Sequence, residues 1–240
     1  MSDAMKVIYI CFPEGKHKVL TMSYDDGKLA DRRLVSIFNH YGIKGTFHLN
    51  SGMHGPERIP SEEWKALYEG HEMSCHTVTH PTIARSPVEQ VAVQVLEDRR
   101  YIERIAGYPV RGLSYPNGSY NREIIELLPK LGIEYSRIVG NTDDFSMPEN
   151  YLAWEATCHH NHNLIENGKR FLELKKTQYM YMMYVWGHSY EFDRDNNWEL
   201  MEEFCEMMSG QEDIWYATNI QIVDYMKAAK NLRFTLDGDL

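Results

Sequence analysis

Seven short β-prone segments recur along this chain, at residues 18–22, 45–49, 72–75, 112–115, 135–139, 179–185 and 214–217, with longer amphipathic stretches between the earlier ones. Strands that alternate with helices build a parallel sheet with right-handed crossovers, and such sheets gather their functional groups outside the carboxyl ends of the strands. Helices are expected at 29–40, 61–69, 87–105 and 122–131. In the third, Ser86 reads as the N-cap, Pro87 as the first helical residue, Glu89 as the other half of a capping box and Gly107 as the stop; Gly132 closes the fourth. The pattern alone does not choose between a closed barrel and an open sheet. Residues 7–12, followed by Pro13-Glu14-Gly15, read as an extra strand or hairpin within 1–17, outside the main sheet.

At 240 residues with no Pro/Gly/Ser-rich linker, repeat or long charge block, the chain is expected to form one domain. Its formal net charge of −10 argues against nucleic acid and anionic membrane surfaces, whose binding needs clustered Lys and Arg, and favours a neutral or cationic small molecule or oligosaccharide. No run approaches the ~20 apolar residues of a membrane span. Residues 1–13 show no basic start, long apolar stretch or small-residue cleavage site, so a cytoplasmic location is expected. Cys11, Cys75, Cys158 and Cys205 are scattered without a Cys-x-x-Cys, which points to reduced packing thiols and away from a zinc ribbon or redox pair.

Two strings each follow a β-prone segment: Ser23-Tyr24-Asp25-Asp26-Gly27 and His76-Thr77-Val78-Thr79-His80. Together they offer carboxylates and two imidazoles, the donor types of a catalytic divalent-metal centre, where three N/O ligands leave a position at which water becomes a nucleophile near neutral pH. Zinc suits such a set best, and cobalt or manganese also fit. Neighbouring residues of a regular strand face opposite ways, so Asp25 and Asp26 share a pocket only where the strand ends, and Gly27 supplies that break. Pro81 keeps His80 out of a helix and places it in a loop.

These strings belong to a longer ordered series: Leu20-Thr21-Met22-Ser23-Tyr24-Asp25-Asp26-Gly27, then Gly45-Thr46-Phe47-His48, Gly70-His71-Glu72, the His76 to Pro81 string, and Tyr115-Pro116-Asn117-Gly118-Ser119-Tyr120-Asn121. In order and spacing the series resembles the polysaccharide deacetylase family, the NodB-homology fold, over residues 19–225. The resemblance implies an irregular (β/α) barrel, usually of seven strands, and a metal-dependent deacetylase acting on linear amide C–N bonds. It implies Asp26, His76 and His80 as ligands of one divalent ion, and Asp25 as the general base. Residues 179–188 resemble the family's last motif, an apolar strand ending in the acid histidine, which makes His188 the proton donor to the departing amine. Glu191, Asp193, Asp143 and Asp144 are the candidates to hold His188 charged. The backbone N–H of Asn117 is implied in an oxyanion hole.

The chain departs from the family pattern at two places. Ser114 stands where many members have Arg, and Asn117 stands where Tyr is usual. That Arg normally pairs with the base carboxylate, and Arg137 on the next strand is the expected substitute. Tyr115, Asn117, Arg137 and His159 are expected to line the substrate. His159 is taken as the inward member of the His159-His160-Asn161-His162 cluster, because adjacent strand residues do not both face inward. His17, His40, His54 and His71 read as solvated or core histidines, and the methionines at 180, 182, 183, 201, 207 and 208 as core filler. The expected function is removal of N-acetyl groups from an amino sugar or oligosaccharide. The alternatives are hydrolysis of another small amide, cyclic imide or ureide, and non-catalytic carbohydrate binding.

Overall fold

The computed structural model describes residues 7–234. Strand β1 (Lys18–Asp25) is buried along its whole length, because it runs through the middle of a sheet that has side chains packed on both faces. Seven strands follow one path in the order β5-β4-β3-β2-β1-β7-β6: β2 is Gly45–Leu49, β3 Glu72–Cys75, β4 Gly112–Ser114, β5 Tyr135–Arg137, β6 Cys158–His159 and β7 Tyr181–Gly187. Each strand pairing is parallel. The eighth, β8 (Ile214–Tyr216), pairs with residues 18–20 of β1, while residues 22–25 of β1 pair with β2 on the same edge. The path curls into a half-barrel whose two ends are bridged by one extended segment. Trp154 N–H donates to Ser136 O at 2.9 Å on β5, and the chain then runs through β6 onto β7.

The two sheet faces carry different chemistry. Leu20, Met22, Tyr24, Phe47, Leu49, Met73, Cys75 and Leu113 join one hydrophobic cluster with buried side chains of the surrounding helices. These are α1 (Asp31–Tyr41), α2 (Trp64–Leu67), α3 (Val88–Ala106), α4 (Arg122–Leu127), α5 (Leu164–Leu172), α6 (Tyr190–Asp195) and α7 (Trp198–Met208), whereas Ile222 and Val223 of α8 (Asn219–Lys230) join a second apolar cluster. The alternate residues fill the barrel with that second cluster, to which Val19, Tyr135, Met182, Tyr184 and Trp186 belong, and with hydrogen bonds. Thr21 donates to Asn219 Oδ1 at 2.8 Å, Thr46 to Glu72 Oε2 at 3.0 Å, and the Tyr135 hydroxyl to Glu72 Oε1 at 2.7 Å. A period of two therefore puts an apolar layer against the helices and a mixture of aromatic packing and polar bonds inside, with the site at the upper end of the polar network.

Gly112 lies opposite Tyr135 in the β4–β5 register, and a Cβ at Gly112 would sit 2.1 Å from the phenol ring. Gly112→Ala is expected to lower stability by about 1–3 kcal/mol, the usual penalty for overfilling a core. The measurement is the denaturation midpoint, and an unchanged midpoint would show that the ring has room to move.

Several local expectations need correction. Residues 7–11 form no strand or hairpin; Val7, Ile8 and Tyr9 are more than half exposed with no strand beside them, and the chain enters a 3-10 turn at Pro13–Gly15. Residues 1–6 of that expected element lie outside the described residues. The capping box at Ser86 and Glu89 does not form, because Pro87 takes an extended ψ of 143° and becomes the N-cap itself. A capping box opens α8, between Thr218 and Gln221. The expected helix at 61–69 is a 3-10 turn, Ser61–Glu63, followed by the short α2. Helix α4 tightens into a 3-10 turn at Leu128–Leu131, where Pro129 brings no N–H. The four cysteines are free thiols, and no described helix is long and apolar enough to cross a membrane.

Candidate active site

Strand β1 ends at Asp25, and the chain leaves the sheet through two consecutive left-handed residues, Asp26 at φ 83° and Gly27 at φ 61°. The break expected of Gly27 is thus shared by Asp26, a conformation that aspartate visits more readily than most residues. The turn is braced: Asp26 N–H donates to His48 O at 2.9 Å, and its carbonyl accepts from the Arg58 guanidinium. Asp25 remains in the barrel mouth and Asp26 stands on its rim.

Strand β3 ends at Cys75, and the loop that follows also holds left-handed residues, Thr77 at φ 67° and His80 at φ 55°. Such conformations cost on the order of 1–3 kcal/mol each and persist only where their surroundings impose them. Asp98 of α3 imposes this one. Its two oxygens accept from Ser51 N–H at 2.7 Å and His76 N–H at 2.9 Å. Asn50 adds bonds from its amide to His76 O at 2.7 Å and Thr77 O at 3.0 Å. Burial raises the Asp98 pKa to about 7 against the pull of its donors. Sequence reading passed over Asp98, although it sits on the apolar stripe of Val91, Val95 and Ile102, an acid where packing calls for an aliphatic. Asn50 and Arg58 carry no comparable sign.

The two loops bring one donor atom each from Asp26, His76 and His80 within 4.8 Å of one another. His76 Nδ1–H donates to Ser114 O at 2.7 Å, so the lone pair of Nε2 faces the other two donors, buried and without a hydrogen-bond partner. A metal-binding imidazole needs that wiring, with its far nitrogen protonated and held by an acceptor. Burial also lowers the His76 pKa, which keeps the ring neutral and able to coordinate. The donor set fits a divalent cation of the zinc type.

Arg137 reaches Asp25. It stands opposite Ser114 in the β4–β5 register, and its guanidinium crosses that serine: Nη2 donates to Asp25 Oδ2 and, at 2.6 Å, to Ser114 Oγ. Ser114 Oγ donates onward to Asp25 Oδ2 at 3.0 Å. Arg137 Nε donates to Ser23 Oγ at 3.2 Å, and the guanidinium lies over the Trp186 ring at 4.4 Å. Burial, the largest single influence, would raise the Asp25 pKa, but Arg137 first and then the rings of His76, His48 and His188 together outweigh it and hold the carboxyl well below its ordinary range, hence ionised. Behind Ser23, His48 Nε2 lies 2.9 Å from the hydroxyl, and burial lowers the His48 pKa to about 3, so the ring is neutral.

His188 follows β7, and Glu191 is the acid beside it. Glu191 Oε2 accepts from His188 N–H at 3.2 Å and lies 3.4 Å from His188 Nδ1. The other candidates are occupied elsewhere: Asp143 by His162 and Asn167, Asp144 by the backbone of Phe145, and Asp193 by the Trp198 indole. Burial works to lower the His188 pKa, but Glu191 and, farther off, Asp25 and Asp26 raise it above its ordinary value.

His159 and His160 both turn toward Glu191, against the expectation that only one faces inward. Strand β6 is two residues long, so alternation lapses after His159. His160 Nε2 lies 3.4 Å from Glu191 Oε2, its ring stacked on Phe192 at 4.1 Å in space that Gly187 leaves clear. His159 Nε2 lies 2.9 Å from the same oxygen, and its Nδ1 accepts from Asn161 N–H at 3.1 Å. Both ring nitrogens of His159 are thus engaged within the protein, which leaves neither free to bond a substrate. Glu191, His159 and His160 also bring donor atoms within 4.8 Å. Here the far nitrogen of His159 is an acceptor, the reverse of the His76 wiring, so this cluster is a hydrogen-bonded carboxylate and not a match for a metal. Tyr115 is a packing residue: it is 1% exposed, and its hydroxyl donates to Leu152 O at 2.7 Å. Asn117 is exposed at a left-handed turn, φ 55°, on the same rim as the loops above.

Residues 12–136 match the family model described as polysaccharide deacetylase. The chain is 26% identical over 116 residues to a peptidoglycan-N-acetylglucosamine deacetylase of Bacillus cereus, a match covering 48% of this chain and 40% of that protein. It is 26% identical over 127 residues to a chitooligosaccharide deacetylase of Azorhizobium caulinodans, covering 52% and 55%. The chain thus spans roughly half the length of these relatives or less. Its fold is similar to that of a Mycobacterium smegmatis protein assigned to the polysaccharide deacetylases, with a TM-score of 0.70 at 16% identity over 98% of this chain and 99% of the other.

Proposed function

The chain belongs to the polysaccharide deacetylase family, and on that premise we propose that it is a metal-dependent hydrolase that removes N-acetyl groups from an amino sugar or a short oligosaccharide. One observation carries the reading: Asp26, His76 and His80 converge beside an ionised Asp25, with His76 Nε2 turned toward the shared point. The relatives' names, deacetylases of peptidoglycan and chitooligosaccharide amino sugars, support the choice of substrate class.

A divalent ion held by Asp26, His76 and His80 supplies Lewis acidity and makes water nucleophilic near neutral pH. The remaining work belongs to the chain. Asp25, ionised and fixed by Arg137 and Ser114, accepts the proton of the attacking water through the oxygen Oδ1 that those two residues leave unpartnered. His188, kept protonated by Glu191, gives its proton to the departing nitrogen, without which an amine anion would have to leave. The Asn117 N–H at the rim serves the developing oxyanion.

Acetate release from N-acetylglucosamine oligomers is expected to stop on chelation and to return with zinc, cobalt or manganese. His80→Ala is expected to lower zinc affinity by at least about 10–100-fold, the scale of losses even from a metal ligand's supporting residues. Full activity in a sample shown by elemental analysis to be metal-free would refute the metal reading. Ring opening of a cyclic imide with no acetate from any sugar would refute the substrate reading.

A further inference from the structure

His159 has no role in the reaction as described so far, yet its surroundings are built with some care. Its Nδ1 accepts a backbone N–H from Asn161, so that nitrogen carries no proton and the neutral ring's N–H lies on Nε2, 2.9 Å from Glu191 Oε2. The same carboxylate oxygen takes the backbone N–H of His188 and lies 3.4 Å from His188 Nδ1. Two imidazoles from different strands, one after β7 and one ending β6, therefore share one oxygen. The His159 ring is fixed further by an edge contact with Trp186 at 4.6 Å between centroids.

We infer that His159 is a positioning residue for the proton donor, acting through Glu191 on His188. The assignment rests on the role proposed for His188 above. A neutral donor suits the task for an electrostatic reason. Glu191 must stay in place and keep its full negative charge if it is to hold His188 protonated. A permanent cation at position 159 would fix the carboxylate equally well but cancel its field; an N–H on a neutral ring orients it and leaves the charge available. Arg194, the cation nearest the other oxygen at 3.6 Å, is 56% exposed and screened by solvent. His160 touches the same oxygen at 3.4 Å but is wholly buried in the aromatic core, so its replacement would report mainly on packing.

The test uses leaving groups of different need. A departing amine requires a proton, whereas 4-nitrophenolate leaves from 4-nitrophenyl acetate without one. His159→Ala is expected to lower kcat for acetate release from N-acetylglucosamine oligomers by about 10–100-fold, the range for a residue that orients a reacting one, with KM little changed. On 4-nitrophenyl acetate the same variant should lose much less. His159→Gln, whose amide can donate from nearly the same place, should recover most of the loss, and His159→Lys, which neutralises Glu191, should not. In a Glu191→Gln background, His159→Ala should add little. Equal losses on amide and ester would show a merely structural role and overturn the inference, as would an unchanged kcat on the oligomers or equal recovery by Lys and Gln. A wild-type protein that hydrolyses acetanilides but no oligomer would refute the sugar reading alone, and the variants would then be judged on the acetanilide.

Discussion

Asp25→Asn is expected to lower acetate release by two to four orders of magnitude, ~10²–10⁴-fold, the share of a rate that a general acid–base group supplies. The substitution keeps shape and removes basicity. Asp25 is suited to the task by its two unequal oxygens: Oδ2 is taken by Arg137 and Ser114, while Oδ1 is buried with no hydrogen-bond partner and free to accept a proton. The metal should survive, because Asp25 is not among the three residues whose donors converge and His76 keeps its anchoring bond to Ser114 O. Rate and metal content measured on one preparation decide the matter. Loss of the metal along with activity would make Asp25 a ligand, and an undiminished rate would leave the reaction without its proposed base.

Arg137 carries the second large effect. Removing one member of a buried ion pair costs about 3–5 kcal/mol, because the partner's charge is left in place without compensation. Asp25 and Arg137 are such a pair, with side chains 4% and 1% exposed. Arg137→Ala should therefore unfold at lower denaturant and hydrolyse far more slowly. Arg137→Lys should recover little, since an ammonium cannot reach Asp25, Ser114 and Ser23 at once as the guanidinium does. The informative variant is the exchange Ser114→Arg with Arg137→Ser. The two positions face each other in register, so the exchange moves the cation one strand closer to Asp25 without changing the total charge. It should regain much of what Arg137→Ala loses. Full activity in Arg137→Ala would show that Asp25 needs no cationic partner.

Much of this protein was legible from local chemistry. Strands β2 and β3 lie at the boundaries the apolar runs suggested, and α3 and the turn after α4 end at Gly107 and Gly132, both left-handed, because a glycine's conformational freedom is a property of the residue itself. The resemblance of the ordered motifs to the polysaccharide deacetylase family, and not the strand pattern itself, implied the barrel, and with it one mouth where Asp25, Asp26, His76 and His80 meet. Local rules failed where a neighbour in sequence changed the outcome: Pro87 displaced Ser86 as the cap of α3, and a strand as short as β6 gave alternation no length over which to operate.

What only the tertiary structure decided is how the chemical groups are held. Asp98 supports His76 from a helix 22 residues away, and Glu191 takes contacts from His188 beside it and from His159 across the β6–β7 pairing. The crossing of Arg137 over Ser114 exists because β4 and β5 pair in one register, and a shift of one residue would turn the guanidinium out of the barrel. Residue type and spacing along the chain set which reactions are available to these side chains. Which nitrogen of His76 is free, which oxygen of Asp25 is open and which acid faces His188 follow from hydrogen bonds between distant segments, and those bonds come into being only when the sheet has closed around them.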